Sequence, residues 1–462
     1  MTRPYLAKDL TAIILAAGDG NRMKSQTPKP LHKVCGKEIL NMILDAVELS
    51  GIEYSVTIVP SDYKLFEISV GNRTRFEVQG QAKGTGHALL QAKKAAKNSQ
   101  FILVLNGDIP LISPETISQL ISLHQEKEST ATFLTNRKDN PLGSGRVIRT
   151  HKGAVEAIVE ERDADSEIKD VTEVNCGVYC FEAPWVWSAL ESLKPSSTNE
   201  FYITDLIALA LEQNLRVETL ETDRQEETIN VNDRIQLAEA EALLQQNIRA
   251  KWMKSGVTLV DPTSIYIEQG VDIGEDTSIL PNTHIQQGST IGRNCQIGPD
   301  TTVKASAIGD KSKVTHSVIE NASLGTKVSV GPFSRIRAGT VLENNVYVGN
   351  HAEIKNSTLG SESKCGHFSY IGDAIIGTNV NLGAGTITCN YDGLTKLKTV
   401  IGNNAFIGSN TMLVAPVNVG ENAVTGTGSI VNKNVPDGAR AIGAPVRIIK
   451  GGVINDIGFE HK

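Results

Sequence analysis

The chain has 462 residues, a net charge of −7 and six cysteines without metal-finger spacing. Its length allows two or three domains, each with a full hydrophobic core. It has no long basic run and no apolar stretch of the ~20 residues that a membrane helix needs, so we expect neither nucleic-acid nor membrane partners. Its first ten residues contain no apolar segment. We therefore predict no signal peptide, a cytoplasmic location and reduced thiols.

The N-terminal part alternates between strand and helix patterns. Residues 11–17 (TAIILAA) form a continuous apolar run, which is typical of a strand buried on both faces of a parallel sheet. An amphipathic helix is predicted over residues 38–49, and further strands over residues 54–59 and 101–105. This alternation predicts a doubly wound, Rossmann-like α/β domain over residues 1–233, with its ligand at the carboxyl ends of the strands.

The loop after the first strand contains Gly18 and Gly20, followed by Arg22 and by Lys29 between two prolines. It lacks the third glycine of the dinucleotide fingerprint and does not match a Walker A loop. On spacing alone, a bare turn explains these glycines equally well. Behind a buried strand, however, backbone N–H groups and two cations form an anion cradle suited to a triphosphate.

Residues 234–254 contain no glycine or proline and place Leu237, Leu244, Ile248 and Trp252 on one helical face. This pattern predicts a helix that links the first domain to the rest of the chain. The alternative interpretation is the last helix of the first domain.

A six-residue repeat dominates the second half of the chain. A small residue stands two places before each repeated aliphatic, and the period predicts a three-sided β-helix of hexapeptide repeats over residues 255–462, with roughly nine or ten coils. The first run of inward residues is Ile267, Ile273, Ile279, Ile285, Ile291, Ile297 and Val303. Later the period shortens to five at several places, and residues 390–393 (NYDG) predict a turn that interrupts it.

Residues 15–32 (LAAGDGNRMKSQTPKPLH) resemble the signature of sugar-1-phosphate nucleotidyltransferases. The whole chain is similar to the bacterial bifunctional N-acetylglucosamine-1-phosphate uridyltransferases/glucosamine-1-phosphate acetyltransferases. This resemblance implies uridylyl transfer from UTP to N-acetylglucosamine 1-phosphate, with Mg²⁺ held by Asp108 and Asn232. The residues that it implies for nucleotide and sugar binding are Leu15, Ala16, Ala17, Gly18, Arg22, Lys29, Gln79, Gly84, Thr85, Asn106, Gly107, Asp108, Gly145, Glu160, Asn175 and Asn232.

The residue types suit these roles. A carboxylate at the end of a strand is a good oxygen ligand for Mg²⁺, and phosphoryl transfer depends on positioning and charge neutralisation more than on a protein base. Taken singly, the same residues have simpler interpretations. Asp108 alone would be a turn residue, the Gly84–Gly86 segment an ordinary turn and Glu160 a solvated charge.

For the β-helix the resemblance implies left-handed winding, a homotrimer with active sites between subunits, and acetyl transfer from acetyl-CoA to glucosamine 1-phosphate. His367 is the predicted general base, because imidazole titrates near working pH. Taken alone, it would be an ordinary turn histidine. The other implied positions are Arg337, Lys355, Tyr370, Asn381, Asn390 and Tyr391 for the sugar phosphate, and Ala384, Ser409, Thr427 and Ala444 for acetyl-CoA.

Three positions depart from the family pattern. Asn106 stands where tyrosine is frequent, Cys176 where threonine is frequent, and Ala444 where arginine is usual. The first two lie beside implied sugar-binding positions, so they bear on sugar preference. The third weakens the acetyl-CoA site. Two alternatives therefore stay open, namely a nucleotidyltransferase whose β-helix only regulates or oligomerises, and a non-catalytic trimeric scaffold.

Overall fold

A computed structural model describes residues 9–196 and 199–449, so the signal-peptide prediction falls mainly on residues outside the described part. The chain divides into two compact units, Met1–Leu244 and Gln245–Lys462. The dividing point lies inside a long helix over Arg234–Lys254, which has the bounds that the sequence predicts. None of the described helices is both long and apolar enough to cross a membrane.

The strands of the first unit are β1 Leu10–Leu15, β2 Lys33–Val34, β3 Lys37–Glu38, β4 Ser55–Val59, β5 Arg75–Val78, β6 Phe101–Asn106, β7 Ala131–Arg137, β8 Arg146–Arg149, β9 Val155–Val159, β10 Glu173–Glu182 and β11 Val217–Glu221. Its main sheet is mixed, with strand order β11-β7-β10-β6-β1-β4-β5, and β8 and β9 extend from β10. The helices are α1 Ile39–Leu49, α2 Lys64–Val70, α3 Thr85–Gln91, α4 Pro114–Glu126, α5 Ser166–Lys169, α6 Ala183–Ser192, α7 Asp205–Glu212 and α8 Arg234–Lys254.

Strand β1 is buried on both faces, as its continuous apolar run predicts. Ile13 belongs to the core that includes residues of α3, α6 and α7. Ala12 and Ile14 are equally buried but lie outside that core, on the opposite face of the strand. The sheet is nevertheless mixed, because β10 runs antiparallel to both β6 and β7. The carboxyl ends of the parallel strands β1 and β6 therefore lie side by side, with Leu15 opposite Asn106.

The second unit is a three-sided parallel β-helix, in which each complete coil contributes one short strand to each face. The last described strand, Arg447–Ile449, instead pairs antiparallel with Arg440–Ile442. The first face contains Thr258–Leu259, Ser278–Ile279, Gln296–Ile297, Lys313–Val314, Ser329–Val330, Tyr347–Asn350, Lys364–His367, Asn381–Leu382, Phe406–Ile407, Val424–Thr425, Arg440–Ile442 and Arg447–Ile449. The second face contains Tyr266–Ile267, His284–Ile285, Thr302–Lys304, Val318–Glu320, Arg335–Ile336, Glu353–Lys355, Tyr370–Gly372, Ile387–Cys389, Met412–Val414 and Ile430–Val431. The third face contains Asp272–Ile273, Thr290–Ile291, Ala307–Ile308, Ser323–Leu324, Val341–Leu342, Thr358–Leu359, Ala374–Ile376, Thr399–Ile401 and Val417–Val419.

The inward positions follow the predicted repeat. Ile267, Ile279, Ile285 and Ile297 are 0% exposed, and Ile279 pairs directly with Ile297 of the next coil. The C-terminal half of α8 closes the first coil. There the Gln245 side-chain amide donates from Nε2 to the Ile267 carbonyl and accepts from the Ile267 N–H, so it takes the place of a neighbouring strand.

The predicted slips in the period are corners shortened by one residue. On each five-residue side, one residue two places after the inward aliphatic adopts a left-handed conformation, with φ between 43° and 53°. These residues are Ala305, His316, Asn321, Asn356 and Asp373. The predicted interruption is also present, as a loop in which Tyr391 and Lys396 form an antiparallel bridge.

Ile297→Ala should lower the free energy of unfolding by about 2–5 kcal/mol, because the change removes a fully buried side chain and leaves a cavity. The neighbouring exposed residue provides the matched control, and Gln296→Ala should change the free energy by less than about 0.5 kcal/mol. Urea denaturation of both variants measures the difference. Equal losses would contradict the inward position of Ile297.

Candidate active sites

The first unit contains a cavity of about 710 Å³ at the carboxyl ends of β1 and β6. Every residue that the sequence predicts for nucleotide and sugar binding lines it, from Leu15 in the first strand to Asn232 just before α8. Residues far apart in sequence are thus brought to one concave surface. A cleft at this edge of an open α/β sheet is the usual position for a ligand.

Two cations and the two predicted metal ligands form one cluster in this cavity. The Lys29 Nζ lies 2.6 Å from Asp108 Oδ2 and donates to Asn232 Oδ1 at 3.1 Å. Arg22 Nη2 donates to the same amide oxygen at 2.9 Å. Gly20 permits this arrangement, because its φ is +61° and a Cβ added there would lie 3.1 Å from the Lys29 Cβ.

The donor set of Asp108 and Asn232 fits a hard divalent cation. Asp108 Oδ1 is buried and has no hydrogen-bond partner among the described residues. Gly107 allows the strand end to approach, since a Cβ there would lie 2.7 Å from the Leu15 carbonyl oxygen. No cluster of three or more His, Cys, Asp or Glu side chains occurs in the described part of the chain. Asp108 and Asn232 offer two side-chain oxygens, so a divalent cation held by them would complete its ligands with phosphates and water.

The Gly84–Gly86 turn is held by a second segment of the chain. Gly84 has a φ of +94°, and a Cβ there would overlap the Phe201 backbone. The Gly86 N–H donates to the Phe201 carbonyl at 2.8 Å, and the Thr85 hydroxyl accepts from the Ile203 N–H at 2.9 Å. Gln79 Nε2 donates to the Gly84 carbonyl at 3.1 Å. Gln79 and the glycine turn therefore form one rigid wall of the cavity.

A second group of lining residues contains Gly145, Glu160 and Asn175. The Thr204 hydroxyl donates to Glu160 Oε1 at 3.0 Å. Asn175 Nδ2 donates to the Tyr179 hydroxyl at 2.6 Å, and the Asn175 N–H donates to the Gly145 carbonyl at 2.9 Å. Burial raises the pKa of Glu160 and outweighs the opposing hydrogen bond from Thr204.

Two charged residues that sequence reasoning missed support this second group of lining residues. Arg146 is 1% exposed, and its Nη2 lies 2.7 Å from Glu161 Oε2. The same carboxylate oxygen accepts from the Gly143 N–H at 3.1 Å. The ion pair therefore ties the Gly143–Gly145 loop to the strand end that carries Glu160. An arginine after a glycine-rich turn reads as a solvated charge in the sequence, so only the structure reveals its burial.

Asn106 and Cys176, two of the departures from the family pattern, occupy different places in the structure. Asn106 lines the cavity and packs against Gly177, and its Oδ1 is buried without a hydrogen-bond partner among the described residues. Cys176 is 2% exposed and is not among the residues that line the cavity. Burial raises the pKa of its thiol to about 12. Of these two departures from the family pattern, Asn106 is thus the one that lines the cavity.

In the second unit, several predicted acetyltransferase residues form a column at the corner between the first and second faces, here called the first corner. The inward residues Val348, Cys365, Leu382, Ile407 and Thr425 pair in register from coil to coil. The residues two places later therefore stack along this corner. They are Asn350, His367, Ala384, Ser409 and Thr427.

Asn350, which the sequence reasoning missed, contacts the predicted base in this column. Its Oδ1 lies 3.1 Å from His367 Nδ1. An amide oxygen accepts hydrogen bonds only, so this contact requires a proton on Nδ1 and leaves Nε2 as the basic nitrogen of a neutral ring.

The predicted cations lie at the next corner, between the second and third faces, here called the second corner. Arg337, Lys355 and Gly372 occupy the same position on successive coils. Arg337 Nη1 lies 2.6 Å from Glu353 Oε1, and Lys355 Nζ lies 3.8 Å from Asp373 Oδ2. Within one chain, the cations and His367 are therefore on different corners of the β-helix.

The remaining predicted positions surround these two groups. Tyr370 begins a second-face strand, and its hydroxyl lies against Gly372 together with the Asn390 amide. Asn381 begins a first-face strand. Tyr391 is 57% exposed, and Lys396 Nζ lies 4.3 Å from its ring centroid. Ala444 lies in the turn between the last two described strands, Arg440–Ile442 and Arg447–Ile449.

Glu160→Gln should stabilise the first unit at neutral pH, because it removes a carboxylate that is costly to bury. Since folding raises the pKa of Glu160 above its ordinary 4.5, wild-type stability should fall relative to the variant as pH rises through that raised pKa. The difference in thermal midpoint should be small near pH 4, grow with pH and then stay constant. Glu156→Gln, at an exposed position, should show no such trend. A pH-independent difference would contradict the prediction.

Comparison with known proteins identifies the family. The Nucleotidyl transferase model matches residues 11–275, the GMPPB C-terminal domain model residues 262–351, and the Bacterial transferase hexapeptide (six repeats) model residues 398–433. The chain is 45% identical over 435 residues to the bifunctional protein GlmU of Syntrophomonas wolfei, covering 94% of this chain and 97% of the relative. Identity to the bifunctional protein GlmU of Halalkalibacterium halodurans is 43% over 433 residues, covering 93% of this chain and 95% of the relative.

A third relative extends this coverage. The bifunctional protein GlmU of Heliobacterium modesticaldum is 42% identical over 456 residues, which is 98% of each chain. The nucleotidyltransferase sheet and the hexapeptide β-helix thus occur in one chain, in the same order and over nearly the same length. This protein therefore belongs to the GlmU family of bifunctional transferases, with a nucleotidyltransferase domain followed by a left-handed β-helix of hexapeptide repeats.

Proposed function

We propose that this chain makes UDP-N-acetylglucosamine in two reactions on separate domains. The β-helix transfers an acetyl group from acetyl-CoA to glucosamine 1-phosphate. The α/β domain transfers a uridylyl group from UTP to the resulting N-acetylglucosamine 1-phosphate and releases pyrophosphate. The observation that carries the proposal is that all predicted uridyltransferase residues line one cavity, while family identity extends through the β-helix. The domain bounds that we propose are 1–233, 234–254 and 255–462.

In uridylyl transfer, an oxygen of the sugar phosphate attacks the α-phosphorus of UTP as the bond to pyrophosphate breaks. Arg22 and Lys29 neutralise phosphate charge, and the wall of Gln79 and Gly84 holds the uracil. Glu160 accepts hydrogen bonds from the sugar hydroxyls, and the Asn175 amide both accepts and donates them. When Mg²⁺ is bound by Asp108 and Asn232, it adds positive charge beside the phosphates.

In acetyl transfer, the amine nitrogen of glucosamine 1-phosphate attacks the thioester carbonyl of acetyl-CoA. His367 Nε2 takes the amine proton as the new C–N bond forms. The C–S bond then breaks, and the proton passes from Nε2 to the departing sulfur, which leaves as the thiol of CoA. Asn350 holds the imidazole in the tautomer that this step needs. Arg337 and Lys355 bind the sugar phosphate, and the column of Ala384, Ser409 and Thr427 accepts the CoA arm.

The proposed assembly is a homotrimer. Its support is the separation of His367 from Arg337 and Lys355 on different corners of one β-helix, which a second copy of the chain would resolve by supplying the missing corner. Large apolar side chains are also exposed on or beside the first corner, with Phe333 at 58%, Phe368 at 59% and Phe406 at 49%. Acetyl-CoA and UTP are cytoplasmic metabolites, so the proposed location is the cytoplasm.

Asp108→Ala should abolish pyrophosphate release and spare acetyl transfer, whereas His367→Ala should lower acetyl transfer by at least about a hundredfold and spare uridylyl transfer. Both activities are measured on the same preparations, so each variant is its own folding control. Loss of both activities by either change in a folded assembly would contradict the two-site proposal.

An assay of the wild-type protein distinguishes this proposal from the alternative of a β-helix that only regulates or oligomerises. That alternative is motivated by Ala444, which stands where the family usually has an arginine. Release of free thiol from acetyl-CoA in the presence of glucosamine 1-phosphate supports catalysis by the β-helix. Uridylyl transfer without thiol release would support the alternative.

Asn350→Ala should lower kcat for acetyl transfer about tenfold with little change in the KM for acetyl-CoA, because the imidazole loses the contact that sets its tautomer. Steady-state kinetics with each substrate varied in turn measure the effect. Asn418→Ala, at an exposed position in a third-face strand, is the matched control and should leave kcat unchanged. Equal effects from the two changes would refute the role of Asn350.

A further inference from the structure

Asp373 is a buried carboxylate at the second corner, and none of the functional roles assigned above involves it. It follows the inward residue Ile371 by two places and adopts a φ of 53°, on one of the five-residue sides. Its side chain is only 9% exposed. A buried carboxylate is costly unless hydrogen bonds and opposite charges compensate it, so its partners indicate what it does.

Three side chains from the two coils that flank its own converge on this carboxylate. Asn356 Nδ2 donates to Oδ1 at 2.6 Å, and Asn390 Nδ2 donates to Oδ2. The Lys355 Nζ lies 3.8 Å from Oδ2. Burial alone would raise the pKa of Asp373, but these two amides and the ammonium outweigh it and lower the pKa, so the group is ionised at neutral pH.

The carboxylate determines which way the Asn390 amide faces. An ionised carboxylate accepts hydrogen bonds and cannot donate them, so the NH₂ of Asn390 must face Asp373. The Asn390 Oδ1, on the opposite side of the amide, is then directed away from Asp373 as a hydrogen-bond acceptor. Without the carboxylate, either amide orientation would be available. Asp373 thus removes one of the two orientations of a side chain in the proposed sugar site.

Asp373 also joins the two ends of the loop that interrupts the repeat. Its backbone carbonyl accepts from the Thr399 N–H at 3.3 Å, where the chain re-enters the third face, while its side chain holds Asn390 at the other end. The Leu397 N–H donates to the Asn390 carbonyl at 2.8 Å, which closes the loop between them. Tyr391, another proposed site residue, lies within this loop.

We propose that Asp373 is a positioning residue for acetyl transfer, which orients the Asn390 amide and balances the charge of Lys355 beside the sugar phosphate. This inference rests on the proposed acetyltransferase function. Asp373 touches no reacting atom and acts through its two neighbours. The simpler alternative is a corner residue chosen for its conformation, because aspartate and asparagine both tolerate positive φ.

Asp373→Asn separates the two possibilities, since it keeps the size and the backbone preference and removes only the charge. A neutral amide at this position can present an NH₂ group to Asn390 and can no longer select one orientation of it. We expect kcat for acetyl transfer to fall about tenfold to a hundredfold. The KM for glucosamine 1-phosphate should stay constant or decrease, because Lys355 loses its counter-charge next to the phosphate. Uridylyl transfer by the same full-length preparation should equal that of the wild type.

Two controls test conformation and packing. Asn321→Ala changes a corner residue with the same positive φ on the same corner but without a contact to the site, and it should leave both activities unchanged. Asn356→Ala removes the other amide donor and keeps Asn390 and Lys355 in place, so it should lower kcat less than threefold.

The inference is overturned if Asp373→Asn retains kcat within threefold of the wild type. It is also overturned if the KM for glucosamine 1-phosphate rises while kcat and thermal stability both fall. That combination indicates that the substitution disrupts the packing of the β-helix in general. Asp373→Ser is the second variant. If neither variant yields a folded protein with normal uridylyl transfer, the carboxylate is a folding requirement and not a positioning group. Absence of acetyl transfer in the wild type would refute the proposed function instead.

Discussion

The register of the β-helix depends on the stacking of one buried aliphatic over another. Ile279 lies on Ile297, and Ile336 on Ile354, in a ladder that admits no lateral shift without exposing the core. Because the inward residues are in register, the residues that follow them are in register too. Functional side chains at equal offsets therefore recur at one corner, one per coil. The column that contains His367 is a direct result of the packing of the interior.

Three of the five shortened sides carry an asparagine or an aspartate at the corner, at Asn321, Asn356 and Asp373. A side shortened to five residues turns its corner through a single left-handed residue, which favours asparagine and aspartate. At the second corner this places Asn356 and Asp373 on adjacent coils, close enough to share a hydrogen bond of 2.6 Å. Asn356 and Asp373 therefore serve two purposes. They adopt the left-handed conformation of a tight corner, and their side chains form the hydrogen bonds that hold an amide in one orientation.

The nucleotidyltransferase unit has a cavity in which positive charge and amide donors are concentrated. Its cavity must collect the negative charge of a triphosphate and a sugar phosphate, so cations and amide donors converge at the carboxyl ends of two parallel strands. Lys29 holds Asp108 and Asn232, which lie 79 and 203 residues away in sequence. Glycines at positions 20 and 107 allow the backbones to approach closely enough for these contacts.

Local sequence patterns predicted much of the secondary structure and of the buried core of this protein. The six-residue period predicted the β-helix and its inward residues, the apolar run predicted β1, and the composition of Arg234–Lys254 predicted the bounds of a helix. Family resemblance then selected the residues that line the first cavity. The periodicity and composition signals each lie within a short stretch of sequence, where hydrophobic pattern and side-chain type predict local structure.

Only the tertiary structure decided which side chains are neighbours. Arg146 and Glu161, Asn350 and His367, and Asp373 with its amide donors are polar residues that look solvated in the sequence. The mixed direction of the first sheet and the division of the acetyltransferase residues between two corners also emerged only in three dimensions. The physical reason is that burial of a charge and the orientation of an amide depend on partners from distant coils or strands, which no local pattern encodes.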